Sequence, residues 1–253
     1  MRFIMSGEGS ADVGRAGDNT RGAMNLLLDV LAGQELDVCF VSQKSSDIHS
    51  LRKFIRENDE SADTEPEVAI SKGDKKSFIL KAPARKKSWW YYDAQALAQH
   101  AENKKLKWPY GLVWYHDCDA NDHAEMHAAV CAGFQEFKPR EVGDYGVPML
   151  PKPCCEAWLL AYFQDDETAA PYTDCARFEQ LDGTSKKARN SPKNVLARRI
   201  LGSRHDCNDM GRVWEKIGYD IVKKIDWNRV DMHSFNQFKN DFLGVVKRLV
   251  SCC

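Results

Sequence analysis

Residues 111–115 form an uninterrupted apolar run, GLVWY, that leads directly into the acidic segment HDCDAND. A short continuous run of this kind is typical of a strand buried on both faces of a parallel sheet. Asp117 and Asp119 then stand just beyond the carboxyl end of that strand. Because the carboxyl ends of parallel strands share one crevice, we expect a ligand or catalytic site there.

Strand-like and helix-like segments alternate through the first two thirds of the chain. The apolar pattern predicts strands at residues 2–6, 38–41, 78–80, 111–115 and 147–150. Helical spacing of apolar residues predicts helices at residues 20–31, 48–55, 93–105, 123–137 and 155–163. This alternation predicts an α/β fold with a mostly parallel sheet that is flanked by helices on both faces.

Near residue 165 the alternation of strand-like and helix-like segments ends. A polar loop and a basic stretch lead into two or three helices, the last with apolar residues at amphipathic spacing from Phe235 to Leu249. We therefore expect an α/β catalytic domain in residues 1–165 and a C-terminal helical appendage in residues 166–253. The appendage would bind substrate or a partner protein.

The composition restricts the classes of partner and compartment. A formal net charge of -1 over 253 residues excludes a globally basic surface, so nucleic acid would need a local basic patch. Nine scattered cysteines without a C-x-x-C pair are a poor disulfide or zinc framework and indicate a reducing, cytoplasmic setting. No apolar run approaches the roughly 20 residues of a membrane span. No Walker A motif is present, so an ATP-driven step would need a separate ATPase partner.

Acidic residues recur at the ends of the predicted strands. The candidates are Glu8 in the Gly-Glu-Gly loop after the first strand, Asp12 close behind it, Asp117, Asp119 and Glu156. Converging carboxylates repel each other, and a divalent cation offsets that repulsion. Carboxylate oxygens suit Mg²⁺ or Mn²⁺, which polarise phosphoryl groups and activate water. The alternative is structural: Glu8 is a loop or capping residue, and Asp117 and Asp119 cap the helix that begins near residue 123.

The combination of Glu8 in a Glu-Gly loop with Asp117 and Asp119 after a later strand resembles the Toprim family. That family includes topoisomerases, bacterial primases, and the OLD-type and RloB-like nucleases of phage defence. The resemblance covers about residues 1–165. It implies that Glu8 is a catalytic or metal-binding acid and that Asp117 and Asp119 hold Mg²⁺.

A group of small stand-alone bacterial Toprim-like proteins also carries a Glu-Ala-Trp-Leu-Leu-Ala segment, which stands here at residues 156–161. This match implies that Glu156 belongs to the site. The sequence departs from many nuclease members after Glu8, because they carry a threonine and an acid where this chain reads Gly-Ser-Ala before Asp12. The insertion between the second strand and the Asp-x-Asp strand is also long.

Lys152, His116, and the pair His123 and His127 are further candidates. Lys152 stands one helical turn before Glu156, where its charge would stabilise a phosphoryl transition state, or it is a solvated loop lysine. His116 is a general base or phosphate contact, or a half-buried histidine with its hydrogen bonds satisfied. His123 and His127 have the spacing of two metal ligands on one helix, but a third ligand is missing.

Two basic segments predict contact with nucleic acid. In the first, Lys86 and Lys87 precede aromatics that begin with Trp89 and Trp90, so cations that bind phosphate stand beside rings that stack on bases. The second segment has no acid and contains Lys186, Lys187, Arg189, Arg198 and Arg199. The structural alternatives are a buried edge strand for the aromatics and a solvated helix face for the basic block.

These observations predict a metal-dependent nuclease that hydrolyses phosphodiesters in DNA or RNA, and the resemblance implies a role in bacterial phage defence as a homo-oligomer. Two alternatives stay open: a non-catalytic or partner-activated Toprim subunit of a defence ATPase complex, and a phosphohydrolase of a small phosphorylated molecule. Salt-dependent binding of a polynucleotide separates the nuclease from the phosphohydrolase. Activity of the isolated chain separates it from the subunit.

Overall fold

The computed structural model describes residues 3–7, 22–36, 48–50, 88–103, 110–136, 145–163, 172–183, 185 and 188–251. Four strands lie within these ranges: β1 (Phe3–Gly7), β2 (Ile48–Ser50), β3 (Gly111–Tyr115) and β4 (Gly146–Met149). They form one sheet in the order β2-β1-β3-β4, and each neighbouring pair is parallel. The predicted α/β class and parallel sheet are confirmed at this level. The Toprim assignment stays a prediction.

The described ranges contain seven α-helices: α1 (Ala23–Leu36), α2 (Trp89–Asn103), α3 (His123–Glu136), α4 (Cys155–Leu160), α5 (Pro192–Leu201), α6 (Met210–Ile217) and α7 (His233–Ser251). Three short 3-10 helices join them, at Cys175–Gln180, Cys207–Asp209 and Tyr219–Lys223. In the part of the chain that the structure describes, no helix combines the length and the apolar character needed to cross a membrane.

Most predicted elements lie where the apolar pattern placed them, with two corrections. The predicted helix at residues 48–55 is wrong at its start, because Ile48–Ser50 pairs with Phe3–Met5 as strand β2. Helix α2 begins at Trp89 rather than at Asp93, so the aromatics belong to a helix and the alternative of an edge strand is wrong. The predicted strands at residues 38–41 and 78–80 lie outside the described residues.

Alternate side chains of the central strands enter two different cores. Met5 and Tyr115 belong to a core that includes α1 and α7, whereas Ile4 and Trp114 belong to a second core with α2 and α3. This division follows from the strand period of two, which sends successive side chains to opposite faces of the sheet. The sheet is therefore covered on both faces, as a parallel sheet requires.

The C-terminal helix is part of the main core. The ring of Phe242 on α7 lies 5.0 Å from the ring of Phe3 on β1. The start of α7 is held by Glu179, whose carboxylate oxygens accept from the backbone N–H groups of His233 at 2.8 Å and Ser234 at 2.7 Å. An acid is favourable at a helix N-terminus. The predicted boundary near residue 165 is therefore not marked by a break in the hydrophobic core.

Candidate metal centre

The carboxyl ends of strands β1, β3 and β4 lie side by side at one edge of the sheet. In the register of the sheet, Gly7 lies beside Tyr115, and Tyr115 lies beside Met149. The chain segments that leave β3 and β4 therefore start next to each other at the carboxyl edge of the sheet. That edge is where parallel α/β sheets bind ligands.

Backbone hydrogen bonds continue between these two segments after the strands end. The donors and acceptors are His116 N to Met149 O at 3.1 Å, Cys118 N to Pro151 O at 3.0 Å, and Asp119 N to Pro153 O at 2.7 Å. This ladder fixes residues 116–119 against residues 149–153 and carries the loop after β3 to the start of α4. The contact between Asp117 and α4 is a direct result of it.

Asp117, Cys154 and Glu156 form a compact cluster, which we call the carboxylate–thiol cluster. One potential ligand atom from each residue lies within 4.8 Å of the other two. Cys154 and Glu156 are buried, and Asp117 is half-buried. Two of the predicted metal ligands, Asp117 and Glu156, are thus brought together. Cys154 was missed, although it stands only two residues before Glu156.

The Asp117 carboxylate is held by two donors. Its Oδ1 accepts from Tyr115 Oη at 2.8 Å and from the backbone N–H of Cys155 at 3.1 Å. The second bond places Asp117 at the first turn of α4. The start of α3 is capped by a different residue, since Asp122 Oδ1 accepts from Glu125 N at 2.8 Å. The alternative in which Asp117 and Asp119 cap that helix is therefore wrong.

Glu156 has an ionic partner on one side. Its Oε1 lies 3.7 Å from Nζ of Lys193, which stands in the first turn of α5. Its Oε2 is buried and has no hydrogen-bond partner among the described residues. Leaving a buried acceptor unsatisfied costs about 1–3 kcal/mol. A buried carboxylate oxygen without a hydrogen-bond partner, close to two other potential ligand atoms, is suited to bind a metal ion.

The carboxylates also set the electrostatics of their neighbours. Burial lowers the pKa of Lys193, but the charges of Glu156 and Asp117 and the neighbouring thiols outweigh it and raise that pKa overall. Burial raises the pKa of Cys154 well above its usual value, and the charges of Glu156 and Asp117 raise it further. At neutral pH the cluster therefore combines an ammonium, a protonated thiol and two carboxyl groups.

A small pocket connects the cluster with solvent. Its cavity volume is about 20 Å³, and Cys154 and Lys193 form part of its wall. Asp119 lies on its rim, exposed and with left-handed backbone (φ 51°), and is not a member of the cluster. Gly183 packs against this loop so closely that a Cβ there would lie 2.4 Å from the Asp119 carbonyl oxygen. Asp119 thus forms part of the wall of the pocket.

The other predicted site residues of this region have local partners. The backbone N–H of Lys152 donates to Ser234 Oγ at 3.2 Å, and the cation at Glu156 is Lys193 instead. His116 is buried, stacked on Trp114, with Nδ1 2.6 Å from the carbonyl oxygen of Asp117. These contacts fit a histidine with its hydrogen bonds satisfied.

The histidine pair on α3 does not form a metal site with a third ligand in the described ranges. The rings of His123 and His127 lie 6.2 Å apart. His127 is bonded to Asp241, and the pKa of His123 is lowered, chiefly by burial.

The predicted nucleic-acid residues differ in exposure. Trp89 is 38% exposed, and its ring lies 4.9 Å from the ring of His116, whereas Trp90 is buried. Arg189 is exposed and Arg198 is half-buried. Arg199 donates to the carbonyl oxygens of residues 160 and 163 and lies over the ring of Phe178, so its contacts stabilise the fold. Lys86, Lys87, Lys186 and Lys187 lie outside the described residues, as do Glu8 and Asp12.

Comparison with known proteins finds no match for this chain among protein-family models, curated proteins or solved structures. The Toprim relationship therefore stays a prediction from the sequence. Any function has to be argued from the chemistry of the carboxylate–thiol cluster and its pocket.

Proposed function

We propose that this protein is a divalent-metal-dependent nuclease that hydrolyses phosphodiester bonds in DNA or RNA. The observation that carries the proposal is the meeting of Asp117 and Glu156 at the carboxyl edge of the parallel sheet, with a Glu156 oxygen buried and unsatisfied. Two acids from separate segments are held there although their charges repel each other. A cation-binding role explains that arrangement.

The donor set fits a divalent metal ion. The carboxylates of Asp117 and Glu156 suit Mg²⁺ or Mn²⁺, and both lie on segments fixed by backbone hydrogen bonds. Tyr115 Oη and the Cys155 N–H would orient the Asp117 carboxylate toward the ion. When bound, the ion supplies Lewis-acid polarisation of a phosphoryl group.

Lys193 adds a positive charge to the same place. Its ammonium lies on the pocket wall beside Glu156 and carries its proton at neutral pH. A phosphate at the open mouth of the pocket would accept from this ammonium, which would stabilise the negative charge that develops during cleavage. Lys193 therefore takes the role that the sequence suggested for Lys152.

The surroundings of the cluster support a polymeric substrate. Lys193 lies in a basic segment that continues along α5, and the exposed Arg189 precedes that helix. Exposed Trp89 contacts His116, which directly precedes Asp117 in the chain. Cations that bind phosphates and a ring that stacks on a base thus flank the cluster. Among the described residues, no contact specifically favours the alternative of a subunit that awaits an ATPase partner.

The test is cleavage of labelled DNA and RNA by the purified full chain in Mg²⁺, Mn²⁺ or EDTA. We expect metal-dependent cleavage that falls by at least about 10–100-fold in Asp117→Asn and in Glu156→Gln. Glu215→Gln, on the exposed surface of α6, is the matched control and should cleave at the wild-type rate. Hydrolysis of p-nitrophenyl phosphate without polymer cleavage would replace the nuclease with a phosphohydrolase. Cleavage unchanged in both cluster variants would refute a catalytic role for the cluster.

A further inference from the structure

The two adjacent cysteines at the start of α4 have different surroundings. Cys155 belongs to the hydrophobic core beneath the sheet, with 1% of its surface exposed. Cys154 is also buried, yet it belongs to neither apolar core of the described residues. Its thiol lies against Asp117 and Glu156 instead. Packing alone accounts for Cys155, whereas the Cys154 thiol lies among carboxylates and shares a hydrogen bond with Glu156.

Helix capping does not account for Cys154 either. It is the N-cap residue of α4, with extended backbone, but its side chain makes no capping hydrogen bond. The first turn of α4 is instead capped from outside by Asp117, which accepts from the Cys155 N–H. A serine, threonine or aspartate would be the usual choice at an N-cap that needs a side-chain acceptor.

We propose that Cys154 is a metal donor together with Asp117 and Glu156, so that the site prefers a thiophilic ion such as Zn²⁺ or Co²⁺ to Mg²⁺. The inference rests on the proposed function for the presence of a metal, and it specifies which class of metal the cluster takes. Binding of the ion would displace the proton of the Cys154 thiol to solvent. The resulting thiolate suits a borderline-soft ion such as Zn²⁺, whereas Mg²⁺ prefers a shell of oxygen atoms.

The geometry is close to that of a bound ion. Two ligands of one tetrahedral Zn²⁺, with bonds of about 2.0–2.3 Å, lie roughly 3.5 Å apart. The three ligand atoms of the cluster already lie within 4.8 Å of one another. Side-chain movements that shift the ligand atoms by about 1 Å would therefore bring all three into bonding distance of one ion. The unsatisfied Glu156 Oε2 is buried in the same place and would gain a partner.

The experiment is titration of the metal-free full chain with Co²⁺, read as thiolate-to-cobalt charge-transfer absorption in the near ultraviolet. We expect a saturable band in the wild type that excess Mg²⁺ does not remove. Cys154→Ala should lose the band, whereas Cys155→Ala, which keeps the backbone N–H that Asp117 needs, should retain it. A band that is absent in the wild type, or equal in the wild type and Cys154→Ala, would overturn the proposal.

A second variant covers the case in which Cys154→Ala does not fold, which far-ultraviolet circular dichroism would reveal. Glu156→Gln keeps the thiol and the shape of the side chain, and it should weaken Co²⁺ binding by at least about 10-fold. Unchanged Co²⁺ affinity in that variant would also overturn the proposal. A band without cleavage of DNA or RNA would refute the nuclease and keep the thiolate site. Full Mg²⁺-dependent cleavage by Cys154→Ala, without any cobalt band in the wild type, would refute the thiolate site and keep the nuclease.

Discussion

His127 Nε2 lies 2.6 Å from Asp241 Oδ2, and this contact joins α3 to α7. The two helices pack on opposite faces of the sheet, and both contact β4. Gln237 Nε2 donates to the same carboxylate at 3.1 Å and fixes its orientation. The hydrogen bond to Asp241, and then that to Cys131, raises the pKa of His127 to about 10. His127 therefore carries its second proton at neutral pH.

Raising the pH should remove the stabilisation that this pair supplies. A histidine whose pKa is raised by folding stabilises the fold fully below its unfolded value of 6.5 and loses that contribution as the pH rises toward about 10. We expect the free energy of unfolding to fall by about 1.5–3 kcal/mol more in the wild type than in Asp241→Asn over that window. Denaturant titrations at several pH values measure the difference. The same pH dependence in both proteins would contradict the prediction.

Tyr115→Phe should weaken metal binding without unfolding the chain. The substitution keeps the buried ring of Tyr115 but removes the hydroxyl that donates to Asp117 Oδ1 at 2.8 Å. Loss of such an orienting contact typically lowers metal affinity by about 10–100-fold. Isothermal titration with Mn²⁺ or Zn²⁺ would measure it, and Tyr219→Phe, beside Trp214 on the helical part, is the matched control. Equal affinities in wild type and Tyr115→Phe would show that the hydroxyl does not position the ligand.

The central strands could be predicted from the sequence because a short continuous apolar run is typical of a strand that is buried on both faces of a parallel sheet. Strand β2 could not be predicted. The residues after Ile48 have helical spacing, and only pairing with β1, which lies far away in the sequence, makes Ile48–Ser50 extended. Tertiary pairing overrides local preference in short segments of this kind.

The site could be predicted only in part for a related reason. Asp117 and Asp119 are two residues apart, and an extended chain would turn both toward the same side. The left-handed backbone at Asp119 breaks that alternation, so only Asp117 joins the cluster. Cys154 reaches the cluster because the hydrogen bonds after β4 hold its segment beside Asp117. Lys193 reaches it because α5 packs its first turn beside Glu156. Neither contact can be read from the local sequence.

Phe242→Ala tests whether the C-terminal helix and the sheet unfold as one cooperative unit. The ring of Phe242 is fully buried, 5.0 Å from Phe3 on β1. Its removal should lower the free energy of unfolding by about 3–5 kcal/mol, and unfolding should stay a single transition. Circular dichroism and tryptophan fluorescence in a denaturant titration report both quantities. A loss below about 1 kcal/mol, the size typical of an average substitution, or two separate transitions, would favour an independent appendage.

Lys193→Gln should separate the structural role of the ammonium from its role toward substrate. Without the cation 3.7 Å from its Oε1, Glu156 loses its ionic partner, so the metal-free chain should lose about 1–3 kcal/mol of stability. The same change removes a positive charge that competes with the metal, so Zn²⁺ or Mn²⁺ should bind more tightly and raise the melting temperature more than in the wild type. Cleavage should nevertheless fall, because the phosphate loses its contact with the ammonium.

Lys247→Gln, an exposed position on α7, controls for the loss of a charge and should change none of these quantities. Thermal melts with and without metal, together with cleavage rates at saturating metal, distinguish the outcomes. Weaker metal binding in Lys193→Gln would show that the ammonium supports the site rather than competing with the ion. Undiminished cleavage at saturating metal would remove Lys193 from the proposed contact with phosphate and leave the carboxylate–thiol cluster as the proposed reaction centre.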